Sequence, residues 1–190
     1  KRYREMALHP ECDGAIEDVI NEAIVSDLYD SPIEIELSNL NASDKLKKLI
    51  REEFKNIKEI MDFDKKSHEI LRNWYVDGRL FYMKVIDIKK PEDGIQDLRY
   101  IDPMKIRFVR QEKKKNKNDY VPVNNNDDTK VISPEIEEYY VYTPKPSYPS
   151  NNISSGSGSK GVKIAKDSIT YVTSGLVDRN KGTVLSYLHK

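Results

Sequence analysis

The chain has 190 residues, with 32 lysines and arginines against 32 aspartates and glutamates, so its formal net charge is zero. This balance excludes a protein that is drawn to nucleic acid or to an anionic membrane by its overall charge, although it is compatible with a local patch. The single cysteine, Cys12, excludes an internal disulfide and fits a reducing compartment, and no apolar run approaches the roughly 20 residues of a membrane-spanning helix.

The first part of the chain has the residue spacing of amphipathic helices. Pro10 suits the first turn of a helix, whose apolar face carries Ile16, Val19, Ile20, Ala23, Ile24 and Leu28. The segment Ile33–Leu37 alternates apolar and polar residues and predicts a short half-buried strand. Ser43 or Asp44 can cap the next helix, whose apolar stripe is Leu46, Leu49, Ile50, Phe54, Ile57 and Met61.

The segment His68–Asp87 predicts the end of a helix, a glycine stop and then a strand. Trp74 and Tyr75 continue the helical spacing of apolar residues, and Gly78 follows where a left-handed cap costs least. Leu80–Val85 is apolar and aromatic, as strands are. We therefore expect Trp74, Tyr75 and Gly78 to be structural core residues.

The remainder of the chain has the composition of strands and polar loops. The predicted strands are Leu80–Ile88, Leu98–Ile101, Ile106–Val109, Glu138–Tyr142, Val162–Ile164 and Ile169–Thr173. A polar stretch at 111–128 and a Pro-, Ser- and Gly-rich flexible loop at 144–161 separate them. Helices followed by a meander of strands predict an α+β fold, with N-terminal helices packed on a mainly antiparallel sheet and long polar loops. We expect a helical part at 1–78, a β-rich part at 79–182 and the start of a further helix at 183–190.

Three sequence motifs suggest chemistry, and each has a simpler explanation. Gly156, Gly158 and Gly161 spell GxGxxG, but no strand precedes them and no helix follows, so a linker is the better interpretation. The segment His68–Arg72 resembles the zinc motif HExxH, yet Arg72 replaces the second histidine. The mixed metal-ligand types at His9–Asp13 have no second ligand pair elsewhere. We assign no catalytic, cofactor-binding or metal-binding residue.

The chain contains one run of cations, which consists of Arg107, Arg110, Lys113, Lys114, Lys115 and Lys117. Only Phe108 and Tyr120 flank it, whereas a groove for nucleic acid places stacking residues among its cations. A solvated loop is therefore favoured, and contact with DNA or a partner is the alternative. A nucleic-acid-binding module that uses residues 107–117 remains the second hypothesis for function. The third and least favoured hypothesis is an enzyme whose site is assembled from scattered carboxylates. Carboxylates as numerous as these are mostly surface residues without a catalytic role.

Four segments, in this order, resemble the portal protein of T-even-type contractile-tailed bacteriophages. They are YREMALHPECDGAIEDVINEAIV, WYVDGRLFYMKVID, LRYIDPMKIRFVR and VKIAKDSITYVTSGLVDRNKGTVLSYLHK. The resemblance runs from Tyr3 to Lys190 and is weakest at 111–137 and 147–161. It implies a fragment from the wing region of that protein, and a helix starting near Thr183 would lead toward the stem.

The resemblance also implies a function. The family's subunits form a dodecameric ring, the head–tail connector, at one capsid vertex, through which double-stranded DNA is packaged and ejected. The implied partners are further copies of the subunit, the major capsid protein, the packaging terminase and the neck proteins. It implies a structural protein without catalytic residues, cofactor or small-molecule substrate. It would be found in the virion, and in the host cytoplasm during assembly.

Overall fold

The computed structural model describes residues 1–24, 32–112, 136–144, 161–180 and 182–189. Within them the chain forms four α-helices and two antiparallel sheets, so the predicted α+β fold is confirmed. The strands divide into two three-stranded sheets, however, where a single sheet was expected. The helices are α1 (Arg2–Met6), α2 (Pro10–Ala23), α3 (Asp44–Ile60) and α4 (Phe63–Asp77). The strands are β1 (Arg79–Ile86), β2 (Ile95–Ile101), β3 (Ile106–Glu112), β4 (Ile136–Tyr142), β5 (Val162–Ala165) and β6 (Ile169–Thr173).

The chain divides into two compact units that do not follow the boundary expected at residue 78. The first unit contains Lys1–Pro103 and Ile169–Lys190, and the second contains Met104–Ser168. The first unit therefore holds all four helices together with β1, β2 and β6. The second unit holds β3, β4 and β5.

The ends of the helices follow the local signals in the sequence. Pro10 occupies the first turn of α2, where its missing N–H costs nothing. Ser43 is the N-cap of α3, and its Oγ accepts a hydrogen bond from the Leu46 backbone N at 3.4 Å. Asp62, with a φ of 49°, breaks the chain direction between α3 and α4.

The core of the first unit lies between α1, α2 and α4. Its buried members are Ala7, Ile16, Ile20 and Val76, and the partly buried side chains packed on them are Tyr3, Ile24, Leu71, Tyr75 and Leu188. Ile16 and Ile20 come from the apolar face predicted for α2. The sheet of this unit has the order β2-β1-β6, and Phe81 at its centre stacks on Tyr171 with 4.6 Å between ring centroids.

The second unit is a meander of three strands in the order β3-β4-β5. Phe108 and Tyr140 face each other across β3 and β4, with ring centroids 5.3 Å apart. The Lys166 Nζ donates to the Glu138 carboxylate at 2.6 Å. This hydrogen bond, more than the nearby charges, lowers the pKa of Glu138.

Two predicted elements are wrong in the described residues. Ile33–Leu37 forms no strand, because no other segment pairs with it, and only Leu37 of its apolar residues is buried. Thr183 does not begin a helix, because Val184 forms an antiparallel bridge with Val177 and only a 3₁₀ turn, Tyr187–His189, follows. The helix expected to lead onward from this point stays a prediction.

Some predictions fall outside the described residues. These are Lys113, Lys114, Lys115, Lys117 and most of the loop at 144–161. Among the residues that are described, no helix is both long and apolar enough to cross a membrane.

Candidate functional site

The junction between α4 and β1 is fixed by hydrogen bonds from several parts of the first unit. Gly78 ends α4 with a φ of 71°, and its N–H donates to the Trp74 carbonyl at 2.8 Å. A Cβ on Gly78 would lie 2.4 Å from the Leu185 carbonyl oxygen, which is backbone and has no flexible end to move. Glycine is therefore required here both by the left-handed conformation and by the close approach of a second segment.

That second segment is the C-terminal strap, which we define as Ser174–His189. The Ser174 N–H donates to the Gly78 carbonyl at 2.8 Å, and the Ser174 hydroxyl donates to the Leu185 carbonyl at 2.6 Å. The Ser186 hydroxyl, whose residue is 1% exposed, donates to the Tyr75 carbonyl at 3.1 Å. The strap thus satisfies backbone carbonyls at and before the end of α4, so α4, β1 and the strap are fixed to one another.

Aromatic packing holds the strap against the same helix. Tyr187 stacks on Tyr75 with 5.0 Å between centroids and an interplanar angle of 12°, and it contacts Trp74 at 5.1 Å in a tilted arrangement. Trp74 and Tyr75 are partly buried, whereas Gly78 is buried. The Trp74 indole Nε1 is buried and has no hydrogen-bond partner in the described part of the chain. The three residues predicted as structural core therefore lie together around the strap.

A charged clamp, formed by Arg4, Asp77 and Asp102, ties the N-terminal helix to the same junction. The Arg4 guanidinium donates to both oxygens of Asp77, at 2.8 and 2.6 Å, and to Asp102 at 2.8 Å. The hydrogen bonds that Arg4 donates to Asp77 raise the pKa of Arg4, and burial partly opposes this shift. Burial, assisted by the Asp77 charge, raises the pKa of nearby Tyr100 to about 12. Nothing in the local sequence pattern marks this clamp.

The segment that resembles a zinc motif takes part in a second charge cluster. Arg72 donates to Glu17 at 2.6 Å and to Asp13 at 2.5 Å, and the His68 Nε2 lies 2.8 Å from Glu17. Arg72 thus joins α4 to α2 by ion pairs. In the described residues, no group of three or more His, Cys, Asp or Glu side chains is arranged to hold a metal ion.

The described part of the cation run is divided between two faces of a strand. Arg107 and Arg110 are three residues apart on β3, so their side chains point to opposite sides of the sheet. The Arg110 Nε lies 3.4 Å from a Glu138 oxygen. The two arginines therefore do not form one cationic surface with each other. The lysines at 113–117 are outside the described residues.

Comparison with known proteins identifies relatives along the whole chain. The family model described as "Bacteriophage T4-like portal protein (Gp20)" matches residues 1–190. A curated protein named "Portal protein" from Vibrio phage KVP40 is 30% identical over 178 residues, which are 93% of this chain and 32% of that protein. A "Portal protein" from Salmonella phage ViI is 33% identical over 110 residues, which are 57% of this chain and 20% of that protein. The chain spans no more than about a third of the length of these curated relatives.

Proposed function

Since this chain belongs to the T4-like portal protein family, we propose that it is part of the structural subunit of a phage portal, a ring at one capsid vertex through which double-stranded DNA enters and leaves the head. The observation that carries the proposal is the family match over all 190 residues. Within the subunit, the chain corresponds to the wing region. Its role is geometric: it fixes the subunit in place and sets the direction in which neighbouring segments leave it.

The bonded junction around Gly78 supports a geometric role. Three parts of the chain that are distant in sequence meet there: the Arg4 helix, the end of α4, and the strap. Each is held by hydrogen bonds to a buried or partly buried group, and satisfied polar contacts of this kind make the packing around them rigid. A subunit that bears mechanical force when DNA is pushed through the ring needs a rigid junction of this kind.

We further propose the partners that follow from such a ring. They are the other copies of the subunit, which complete a closed ring of twelve, together with the major capsid protein, the packaging terminase and the neck proteins. The subunit would work in the virion and assemble in the host cytoplasm. Hydrolysis of ATP would belong to the terminase, so we assign no catalytic residue or cofactor to this chain.

A nucleic-acid-binding module is not favoured by any observation on the described residues. Arg107 and Arg110 lie on opposite faces of β3, and Arg110 is close to Glu138. A groove for a DNA strand needs cations along one surface. The lysines at 113–117 keep this hypothesis only as a prediction.

The test is the quaternary structure of the full-length protein. Purified protein should be examined by size-exclusion chromatography with light scattering and by negative-stain electron microscopy. We expect closed rings with a central channel and a particle mass twelve times that of one subunit. Protein that stays monomeric at micromolar concentration and in several salt conditions, or that forms open filaments only, would contradict the proposal.

A further inference from the structure

The sequence contains three aspartate–glycine bonds, which are Asp13–Gly14, Asp77–Gly78 and Asp93–Gly94. In such a bond the backbone nitrogen of the glycine can attack the carboxyl carbon of the aspartate, because a residue without a Cβ leaves that approach open. The two atoms meet only when the local backbone moves. The fold therefore decides which of the three bonds can react, through the free energy that local opening costs at each.

The bond between Asp77 and Gly78 is held on both sides. The Gly78 N–H donates to the Trp74 carbonyl at 2.8 Å, and Gly78 is buried. Both oxygens of Asp77 accept hydrogen bonds from the Arg4 guanidinium, at 2.8 and 2.6 Å. The carboxyl carbon of Asp77 cannot turn toward the Gly78 nitrogen unless the charged clamp opens.

The bond between Asp13 and Gly14 is held by a long helix. Both residues lie inside α2, whose backbone N–H groups are bonded to carbonyls one turn earlier. The Asp13 carboxylate accepts a hydrogen bond from Arg72 on α4. As at Asp77, an arginine keeps the carboxylate away from the neighbouring backbone nitrogen.

The bond between Asp93 and Gly94 has neither kind of support. It closes a single 3₁₀ turn, Pro91–Asp93, in the exposed loop between β1 and β2. The Asp93 and Gly94 N–H groups donate to carbonyls of this loop at 3.2 Å each, and the Asp93 carboxylate forms no ion pair with the described residues. A Cβ on Gly94 would meet nothing within 4 Å, so the loop has room to move. A turn this short and exposed opens at little cost.

We propose that Asp93 is a site of spontaneous isomerisation to isoaspartate. The Gly94 nitrogen attacks the protonated carboxyl of Asp93, so that an N–Cγ bond forms and a Cγ–O bond breaks. The hydroxyl leaves with the amide proton as water, and the product is a cyclic imide. Water then adds at the original main-chain carbonyl and breaks its bond to nitrogen, which leaves a main chain that runs through Cβ and Cγ. Water is the only co-reactant, and no electrons are transferred.

The position of the site limits the damage that isomerisation does, although the main chain becomes one atom longer. At Asp93 the extra atom falls in the turn beyond the last paired residues of β1 and β2, Ile86 and Ile95, so both strands keep their register. At Asp77 it would displace Gly78 from the strap. The charged clamp therefore protects the Asp77–Gly78 bond as well as joining α1 to it. This inference goes beyond the proposed ring function and does not depend on it.

The test follows the three bonds in one sample of full-length protein. The protein is kept for several weeks at neutral pH in water labelled with heavy oxygen and is then digested with trypsin in ordinary water. Each passage through the imide inserts a heavy oxygen atom at the reacting aspartate, and mass spectrometry with fragmentation locates the label and the isoaspartate. Synthetic peptides with the sequences Lys90–Arg99 and Asn73–Arg79 give the reactivity without the fold.

We expect the label at Asp93 to exceed that at Asp13 and Asp77 by about tenfold or more, whereas the two peptides should react at similar rates. Comparable labelling of the three bonds in the folded protein would overturn the proposal. So would the absence of label at Asp93 in protein whose matching peptide reacts.

A second measurement tests the protective role of the clamp. Arg4→Met should raise the label at Asp77 several-fold in protein that circular dichroism shows to be folded. The matched control is Arg2→Met, which removes an exposed arginine from the same helix and should leave Asp77 as in wild type. Equal labelling of Asp77 in the two variants would overturn the protective role of Arg4.

Discussion

Replacing Gly78 by alanine should be among the most damaging small changes to the first unit. The new Cβ would meet the Leu185 carbonyl oxygen at 2.4 Å, a distance at which backbone has to move. The residue also sits at a φ of 71°, where a non-glycine side chain is disfavoured. The substitution therefore strains the turn and pushes the strap away from α4.

The magnitude can be built from those two effects. Adopting the left-handed conformation costs alanine about 1 kcal/mol more than glycine. Displacing Leu185 weakens the hydrogen bonds from Ser174 N to Gly78 O and from Ser174 Oγ to Leu185 O, and each is worth about 1 kcal/mol. We expect Gly78→Ala to lower the free energy of unfolding by about 3 kcal/mol.

The assay is urea unfolding followed by the fluorescence of Trp74, which is the only tryptophan in the sequence and contacts Tyr187 of the strap. The matched control is Gly182→Ala. Gly182 has a φ of 63°, but an added Cβ there would meet nothing within 4 Å. Gly182→Ala should therefore cost only about 1 kcal/mol. Equal losses in the two variants would refute the claim that the strap contact, and not backbone strain alone, makes Gly78 necessary.

Three further outcomes are expected. Trp74→Ala should lower the free energy of unfolding by about 3 kcal/mol, measured by circular dichroism, because the Tyr187 ring loses its packing partner; near-wild-type stability with lost assembly would place Trp74 at a subunit contact instead. Arg4→Met should lower the free energy of unfolding by about 2 kcal/mol at neutral pH, because it leaves the Asp77 carboxylate, whose side chain is 10% exposed, without its partner. An unchanged free energy of unfolding would show that water can replace the arginine in the clamp. Because the pKa of Tyr100 is raised in the folded chain, the unfolded chain loses the phenol proton at a lower pH than the folded chain does. The free energy of unfolding should therefore fall between about pH 10 and pH 12, and Tyr100→Phe should remove part of that fall in urea titrations.

The parts of the fold that could be predicted are those decided by near neighbours. Pro10, Ser43 and Gly78 each begin or end a helix through atoms within about four residues, and all three lie at helix ends as the sequence indicates. The segment Ile33–Leu37 shows the limit of this reasoning. Its alternating pattern fits a strand, but a strand also needs a partner, and the pattern cannot supply one.

The contacts that fix the junction were beyond reach for a different reason. Arg4 is 73 and 98 positions from Asp77 and Asp102, and with 32 cations and 32 anions in the chain no spacing selects those pairs. Ser186 has a side chain that is usually exposed, yet it is almost fully buried because its hydroxyl reaches the Tyr75 carbonyl. Such a residue becomes visible only when the strap is placed on α4.

The order of the strands in the first sheet makes the second unit an insertion. The second unit, Met104–Ser168, lies in the sequence between β2 and β6, and both of these strands pair with β1 in the first unit. Ile101 is opposite Phe81 and Ile169 is opposite Met83, so the two ends of the insertion are roughly 12 Å apart by strand geometry. A linker of about six residues can cover that distance. A short linker can therefore replace the second unit and join the two parts of the first unit into one continuous chain. For the same reason, the inserted unit can be lengthened, shortened or exchanged during evolution without disturbing the pairing of β1 with its two neighbours.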